Sequence, residues 1–240
     1  MSKRKTFISM TTIPGRLASK RFTNHIKFLL KLIDDECLII NIPIVSRNQK
    51  IYKIPPELLD LANTSSKFII NNECRDEGPI TKILPSLRND LIKDEDILVI
   101  IDDDRIYKPK TFKILSKMAD KYPNGINTFC QSIIQGHLGF SFIKKTLKPI
   151  LKIKIPNLCI KIDDYVLNQF AKKYDIPINK TYYTRSDKLK CGDKITNNCF
   201  CSVDRNKSRK LARDYKAPQL FLNTNRIKEN VNCGRVLKFN

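Results

Sequence analysis

Five consecutive apolar residues, Ile97-Leu98-Val99-Ile100-Ile101, run straight into three aspartates, Asp102-Asp103-Asp104. A strand that is apolar at every position offers water no polar face. It must be covered on both sides, the condition of a central strand in a parallel sheet flanked by helices. The chain around it keeps the matching rhythm. Residues 6–10 read as a strand, stopped by Thr11-Thr12-Ile13-Pro14-Gly15, where Pro and Gly punctuate a turn. Phe22, Ile26, Leu29, Leu30 and Ile33 then recur at the spacing of one buried helix face. Residues 37–41 and 67–71 read as strands, with a short helical segment over 56–62 between them. The expected fold class is α/β, a mostly parallel sheet flanked by helices.

The second half is less regular. A turn over Arg75-Asp76-Glu77-Gly78-Pro79-Ile80-Thr81-Lys82 leads into a helix at 84–87 with Pro85 as a bend, and the apolar strand follows. Residues 110–121 predict a helix, 126–130 a strand, and 136–142 a glycine-containing loop entering a strand. Asp163-Asp164 opens a helix whose apolar residues are Val166, Leu167, Phe170, Ala171 and Tyr174. From about residue 181 the pattern loosens. There is a basic helical stretch over 205–216 and no repeat, so residues 1–180 are expected to form the core and 181–240 a basic extension packed on it.

Composition narrows the class. A chain of 240 residues with 41% hydrophobic content can bury a substantial core, which excludes a mainly disordered polypeptide. Apolar runs of about five residues are far short of the ~20 that a membrane span needs. The first ten residues are basic with no apolar segment behind them, so a cytoplasmic protein is expected, in a host cytoplasm or a virion if the source is viral. The net charge is +21, and residues 141–240 hold 23 Lys and Arg against 8 acidic residues. Such an excess suits nucleic acid, an anionic surface or a polyphosphate substrate, and it also follows from a genome rich in A/T codons. The eight cysteines lack the density of a disulfide scaffold, so free thiols are expected. Cys191, Cys199, Cys201 and Cys233 lack the paired C-x-x-C of a typical zinc site.

The aspartates carry the chemistry. Adjacent ionised carboxylates repel and raise one another's pKa, so a cluster at the carboxyl end of a buried strand calls for a positive partner. It is either a solvated acidic turn or a cation site, and after so apolar a strand the cation site is favoured. Hard oxygen ligands suit Mg²⁺ or Mn²⁺, with substrate phosphates completing the octahedron.

Thr11-Thr12-Ile13-Pro14-Gly15-Arg16, Asp76-Glu77-Gly78-Pro79-Ile80-Thr81-Lys82, and Val99-Ile100-Ile101-Asp102-Asp103-Asp104 with Tyr107 resemble successive motifs of GT-A type glycosyltransferases. The likeness is to small transferases of large DNA viruses and bacteria. Downstream, residues 136–142 resemble that family's loop under the acceptor site, and Asp163-Asp164-Tyr165-Val166-Leu167 its acidic pair opening a helix. The resemblance covers roughly residues 5–178 and implies a GT-A-like, Rossmann-like fold and a D-x-D motif. It implies a metal-dependent transferase acting on a nucleoside-diphosphate sugar, UDP-sugars favoured, with a protein, glycan or lipid-linked acceptor.

The resemblance also implies roles. Asp104 and Asp102 would hold the metal, with Asp102 and Asp103 near the donor. Thr11, Pro14, Arg16, Asp76 and Lys82 would meet the nucleotide or its diphosphate. An ordinary strand-to-helix turn and a solvated helix lysine are the plainer readings of these residues. Asp164 would take the acceptor hydroxyl's proton, with Asp163 a cap or acceptor ligand; taken alone, either aspartate also serves as a helix N-cap. Inversion is favoured and retention left open. His137 is read as structural or an acceptor contact, and His25 as neither. The alternative from another class is a basic nucleic-acid-binding protein or metal-dependent nuclease using residues 102–104, and a third is a non-catalytic scaffold that keeps the fold.

Overall fold

The computed structural model describes residues 4–108, 110–129, 134–156, 159 and 163–181. Seven strands form one sheet: β1 (Thr6–Thr11), β2 (Cys37–Pro43), β3 (Phe68–Cys74), β4 (Ile97–Ile100), β5 (Ile126–Phe129), β6 (Phe140–Ile143) and β7 (Ile178–Thr181), in the spatial order β3-β2-β1-β4-β6-β5-β7. The helices are α1 (Pro14–Leu17), α2 (Lys20–Leu32), α3 (Pro56–Thr64), α4 (Leu84–Arg88), α5 (Thr111–Lys121), α6 (Lys144–Leu147) and α7 (Asp163–Lys173). The sheet is mostly parallel, as the apolar strand requires. The exception is β6, which runs antiparallel to both β4 and β5.

Strand alternation sorts the core into two layers. In β1 and β4, Ile8, Met10, Ile97, Val99 and the following Ile101 pack with Leu17, Phe22, Ile26 and Leu29 of α1 and α2 and with Phe112 and Leu115 of α5. Phe7, Leu98 and Ile100 face the other way, toward Leu84 and Leu87 of α4, Leu147 of α6, and Val166, Leu167 and Phe170 of α7. This period of two also decides where the residues beyond each strand point.

Three local details differ from the sequence-based expectation. Pro14 does not stop the chain at a turn but sits in the first turn of α1, where a missing N–H costs nothing. Pro85 likewise occupies the first turn of α4 rather than bending it. The strand β7, Ile178-Asn179-Lys180-Thr181, pairs in parallel with β5 although its sequence carries only one apolar residue. Among the described residues no helix is long and apolar enough to cross a membrane. Cys37 and Cys74 are free thiols, but Cys159 is disulfide-bonded, which corrects the expectation of free thiols there. Spacing along a chain does not reveal which sulfurs a fold brings together. The basic stretch over 205–216 and the cysteines from Cys191 to Cys233 lie outside the described residues.

Candidate active site

The strand order reverses between β1 and β4, whose neighbours on either side continue outward in opposite directions. In an open α/β sheet that switch point leaves a crevice outside the carboxyl ends of the two strands. Thr12 follows β1 there, and Asp102-Asp103-Asp104 follow β4.

Alternation divides the three aspartates between the faces. Asp102 continues the parity of Leu98 and Ile100 toward α4 and α7, and its Oδ1 accepts a hydrogen bond from Lys82 Nζ at 2.6 Å. Asp103 continues the parity of Val99 and Ile101 toward α1. Its Oδ2 accepts from Thr12 Oγ1 at 2.6 Å, and its Oδ1 pairs with Arg16. Arg16 reaches Asp104 Oδ2 with its other terminal nitrogen at 3.3 Å, so one guanidinium bridges two neighbouring carboxylates.

Lys82 is the hub of the first group. Its side chain is only 5% exposed, and Nζ lies 2.7 Å from Asp163 Oδ2 as well as 2.6 Å from Asp102. The contact with Asp163 is an ion pair without hydrogen-bond alignment, and Asp163 Oδ2 is otherwise buried without a donor. Burial works against the lysine's charge, yet Asp102, Asp163 and Asp164 more than reverse this and hold the ammonium well above the ordinary lysine range. Burial likewise works to raise Asp102, but the nearby Lys82 outweighs it and keeps that carboxyl ionised below its usual range.

Asp164 has the opposite balance. Burial pushes it up, the Asp163 charge adds to that, and Lys82 and the Gly136 N–H only partly offset them, leaving a pKa of about 7. The Gly136 N–H donates to Asp164 Oδ1 at 2.8 Å. Both aspartates lie in the first turn of α7, and among the described residues their side chains bond across to Lys82 and Gly136 rather than to the helix's own N–H groups. Behind them Asn168 grips the incoming chain: its Oδ1 accepts from Ile134 N and its Nδ2 donates to Ile134 O, both at 3.0 Å. The same Nδ2 donates to Asp164 O at 2.6 Å. Asp103 is pushed up to about 6, chiefly by burial, with Arg16 and Thr12 pulling it down.

The remaining expected residues sit elsewhere. Thr11 Oγ1 donates to Asn41 O at 2.7 Å, tying β1 to β2. Asp76 accepts from Arg47 N and Gly78 N, each at 2.8 Å, and so clamps its own turn, where Gly78 takes a φ of 71°. Neither Thr11, Pro14 nor Asp76 is bonded to the two carboxylate groups among the described residues. His25 is buried in α2, and burial pushes its imidazole down to about 4. His137 lies near enough to help hold Asp102 ionised.

Three further residues contribute: Arg105, which the sequence did not suggest, and Tyr107 and Gly136, which belong to the motifs quoted above but were given no site role. Arg105 Nε lies 3.7 Å from Asp104 Oδ1 and is buried without a hydrogen-bond partner. Tyr107 OH, buried, accepts from the Asp102 N–H at 2.9 Å and so fixes the turn. Gly136 roofs the cluster: a Cβ there would lie 2.3 Å from Lys82 Nζ, 2.9 Å from Asp102 Oδ1 and 3.4 Å from Asp164 Oδ1.

Does this donor set fit a divalent cation? Among the described residues no three His, Cys, Asp or Glu side chains converge as a protein-only cage. Mg²⁺ or Mn²⁺ beside a diphosphate needs only one or two carboxylates, the phosphates and water supplying the rest. Asp102 fits that smaller requirement, while both Asp104 oxygens face arginines, Oδ2 at 3.3 Å from Arg16 and Oδ1 at 3.7 Å from Arg105, so Asp104 would join only by turning from one of them. Asp102 Oδ2 takes no hydrogen bond among the described residues, and Asp102, Asp163 and Asp164 outnumber the one ammonium they surround.

No protein-family model matches the chain, and neither does any curated protein. Solved structures do match. A 4-diphosphocytidyl-2C-methyl-D-erythritol synthase superposes with a TM-score of 0.54 at 10% identity, over 77% of this chain and 92% of its own. A cytidylyltransferase from Leptospira borgpetersenii gives a TM-score of 0.52 at 15% identity, over 100% of both chains. A mannosyltransferase from Pyrobaculum calidifontis, solved with GDP-Man and Mn²⁺, gives 0.52 at 12% identity over 75% of this chain and 55% of its own. At these identities the likeness is one of fold, a mostly parallel sheet with helices on both faces.

Proposed function

We propose that this chain is a metal-dependent glycosyltransferase that moves a sugar from a nucleoside-diphosphate sugar to a hydroxyl of a glycan, protein or lipid-linked acceptor, with inversion. The observation that carries the reading is Asp164, a carboxylate poised near neutrality at about 7 beside the crevice. A base with its pKa near the working pH is what abstraction of a hydroxyl proton requires. In the step proposed, the acceptor O–H proton passes to Asp164 as the acceptor oxygen bonds to the anomeric carbon. The bond from that carbon to the β-phosphate oxygen breaks, and the nucleoside diphosphate leaves.

Chain residues divide the remaining work. Lys82 and Arg16 bring two cations to the crevice end where the diphosphate's charge develops. Asp163 holds Lys82 and helps to keep Asp164 near neutrality. Asp104 and Asp102 would hold Mn²⁺ or Mg²⁺, which when bound supplies Lewis-acid neutralisation of the departing diphosphate.

The fold also serves nucleotidyl transfer, as the neighbouring structures' names indicate. The segment after β1 has a single glycine, Gly15, which lies within α1, so a glycine-rich phosphate cradle does not follow the first strand. The nucleic-acid reading rests on positive charge concentrated in residues 141–240, most of them outside the described residues.

Thermal shift tests the reading directly, with UDP, GDP, CMP and CTP, each with and without Mn²⁺, on the wild type and on Asp102→Asn/Asp104→Asn. A ligand that binds only the native state raises its stability. The expected result is a shift needing both one nucleoside diphosphate and Mn²⁺, lost in the variant. A shift with CTP alone would move the assignment to nucleotidyl transfer. No shift with any nucleotide, beside tight and salt-sensitive binding of DNA, would overturn the transferase reading.

A further inference from the structure

Beneath the crevice, between β1, β2 and α4, lie three polar side chains that water does not reach: Ser9, Asn41 and Ser86, each fully buried. Their hydrogen bonds admit one assignment of protons. Asn71 Nδ2 donates to Asn41 Oδ1 at 2.9 Å, which orients the Asn41 amide. Asn41 Nδ2 then donates its two hydrogens to Ser9 Oγ and Ser86 Oγ, both at 3.0 Å. Ser9 Oγ donates its only proton to the Lys82 carbonyl at 2.6 Å, so across the 2.7 Å contact between the two hydroxyls Ser86 must be the donor. Every proton in the network therefore points toward one acceptor, the backbone carbonyl of Lys82, and bonds aligned this way polarise and strengthen one another.

An apolar filling of this layer would leave the Lys82 carbonyl and the Asn71 amide without partners, a cost the fully satisfied network avoids. What the network adds is a fixed position for one carbonyl at the junction of the Gly78–Lys82 3-10 turn and α4. The Lys82 side chain is 5% exposed, and its ammonium lies 2.6 Å from Asp102, 2.7 Å from Asp163 and close under the Gly136 α-carbon. A shift of its backbone has to be taken up by the stem that carries this ammonium.

We propose that Ser9, Asn41 and Ser86 are positioning residues that aim Lys82 at the crevice and act on the reaction only through it. The catalytic part of this statement rests on the glycosyltransferase reading; the positioning part does not. The first variant to make is Ser9→Ala/Asn41→Leu/Ser86→Ala, which replaces the three side chains with apolar groups, leaves the Lys82 carbonyl and the Asn71 amide without their partners, and should fold with a melting temperature lowered by several degrees. Single Ser9→Ala is made with native Lys82 and in the Lys82→Met background. Affinity for UDP and GDP with Mn²⁺ is measured by calorimetry, and the Lys82 side-chain ammonium signal is followed in ¹⁵N-labelled protein.

The expected result is a folded triple variant whose Lys82 signal is lost and whose nucleotide affinity falls by about 10- to 100-fold, as for a group displaced by about an ångström. Leu29→Ala, a core change on the opposite face, should leave that signal in place. Ser9→Ala should weaken binding with Lys82 present and cost nothing further in Lys82→Met, the mark of two residues acting as one unit. Retention of the signal in the triple variant, or an equal loss from Ser9→Ala in both backgrounds, would overturn the proposal. If the wild type binds neither nucleotide, the transferase reading fails by itself, and the ammonium signal alone decides the positioning.

Discussion

A Cβ added to Gly136 would lie 2.3 Å from the Lys82 ammonium, closer than any real contact of that kind. The glycine has no left-handed backbone to explain it. It is required by space. Its N–H must come close enough to bond Asp164 while its α-carbon passes over Lys82 and Asp102, and only a residue without a side chain does both.

Gly136→Ala should therefore leave the fold intact and disturb the site. The methyl group displaces the end of a flexible lysine, which yields more cheaply than backbone, so the melting temperature should fall by only a few degrees. Nucleotide affinity in Mn²⁺ should drop by roughly tenfold or more, since Lys82 leaves its slot. Calorimetry on the purified variant checks this, and wild-type affinity would show that the close approach has no functional weight.

Asp164→Asn separates catalysis from stability. With the base gone, turnover of a nucleotide-sugar donor should fall by about 10²- to 10⁴-fold with nucleotide affinity kept. In the wild type, activity should rise with pH through about 7 as the carboxyl ionises. Stability follows the opposite course. The folded-state pKa lies above the unfolded value of 3.8, so between about 4 and 7 the folded state holds the extra proton and stability declines as pH rises. The amide mimics the protonated acid, so the variant should melt higher than the wild type at pH 8 and alike near pH 4. Melting curves in the presence of a chelator read this without metal interference.

How much of this was legible in the chain can be argued from particular residues. The sequence of β4 announces burial on both faces, and period-two alternation beyond Ile100 already assigns Asp102 and Asp103 to opposite sides. Ser9 and Asn41 also left a signal, as polar residues at core positions of otherwise apolar strands. The direction of β6 left none, because Phe140-Ser141-Phe142-Ile143 reads the same whichever way it runs. The strand β7 hides because an edge strand with polar side chains has no periodic apolar signature. Gly136 could not be singled out, since a missing side chain carries no chemical label. The burial of Lys82 is offset by carboxylates from two distant segments, Asp102 after β4 and Asp163-Asp164 at the start of α7.

Arg16 holds Asp103 and Asp104 with two nitrogens of one planar group. Arg16→Ala leaves Asp103, 7% exposed, with Thr12 alone as a partner, and should cost about 1–3 kcal/mol measured by denaturant unfolding. The same change frees Asp104 to move, so the Mn²⁺ concentration for half-maximal activity should rise severalfold. Arg16→Lys should not restore it, because a single ammonium lacks the fork that spans two carboxylates. Full recovery by lysine would show that charge alone, not geometry, is at work.

Removing Lys82 leaves a negative charge that a proton or a cation must answer. Asp102, Asp163 and Asp164 surround this one ammonium, and Lys82→Met leaves three crowded carboxylates without their counter-ion. Breaking a buried pair by removing one partner is expensive, so the variant should lose on the order of 3 kcal/mol near pH 8. The loss should shrink at pH 5, where the carboxylates take up protons instead. If the crevice binds divalent cations as proposed, Mn²⁺ alone should now raise the melting temperature of Lys82→Met by more than it raises that of the wild type, because the ion meets an unopposed negative cluster. An equal response in the two proteins would place the cation away from Asp102 and leave Asp104, on the Arg16 side of the crevice, as the carboxylate to test next.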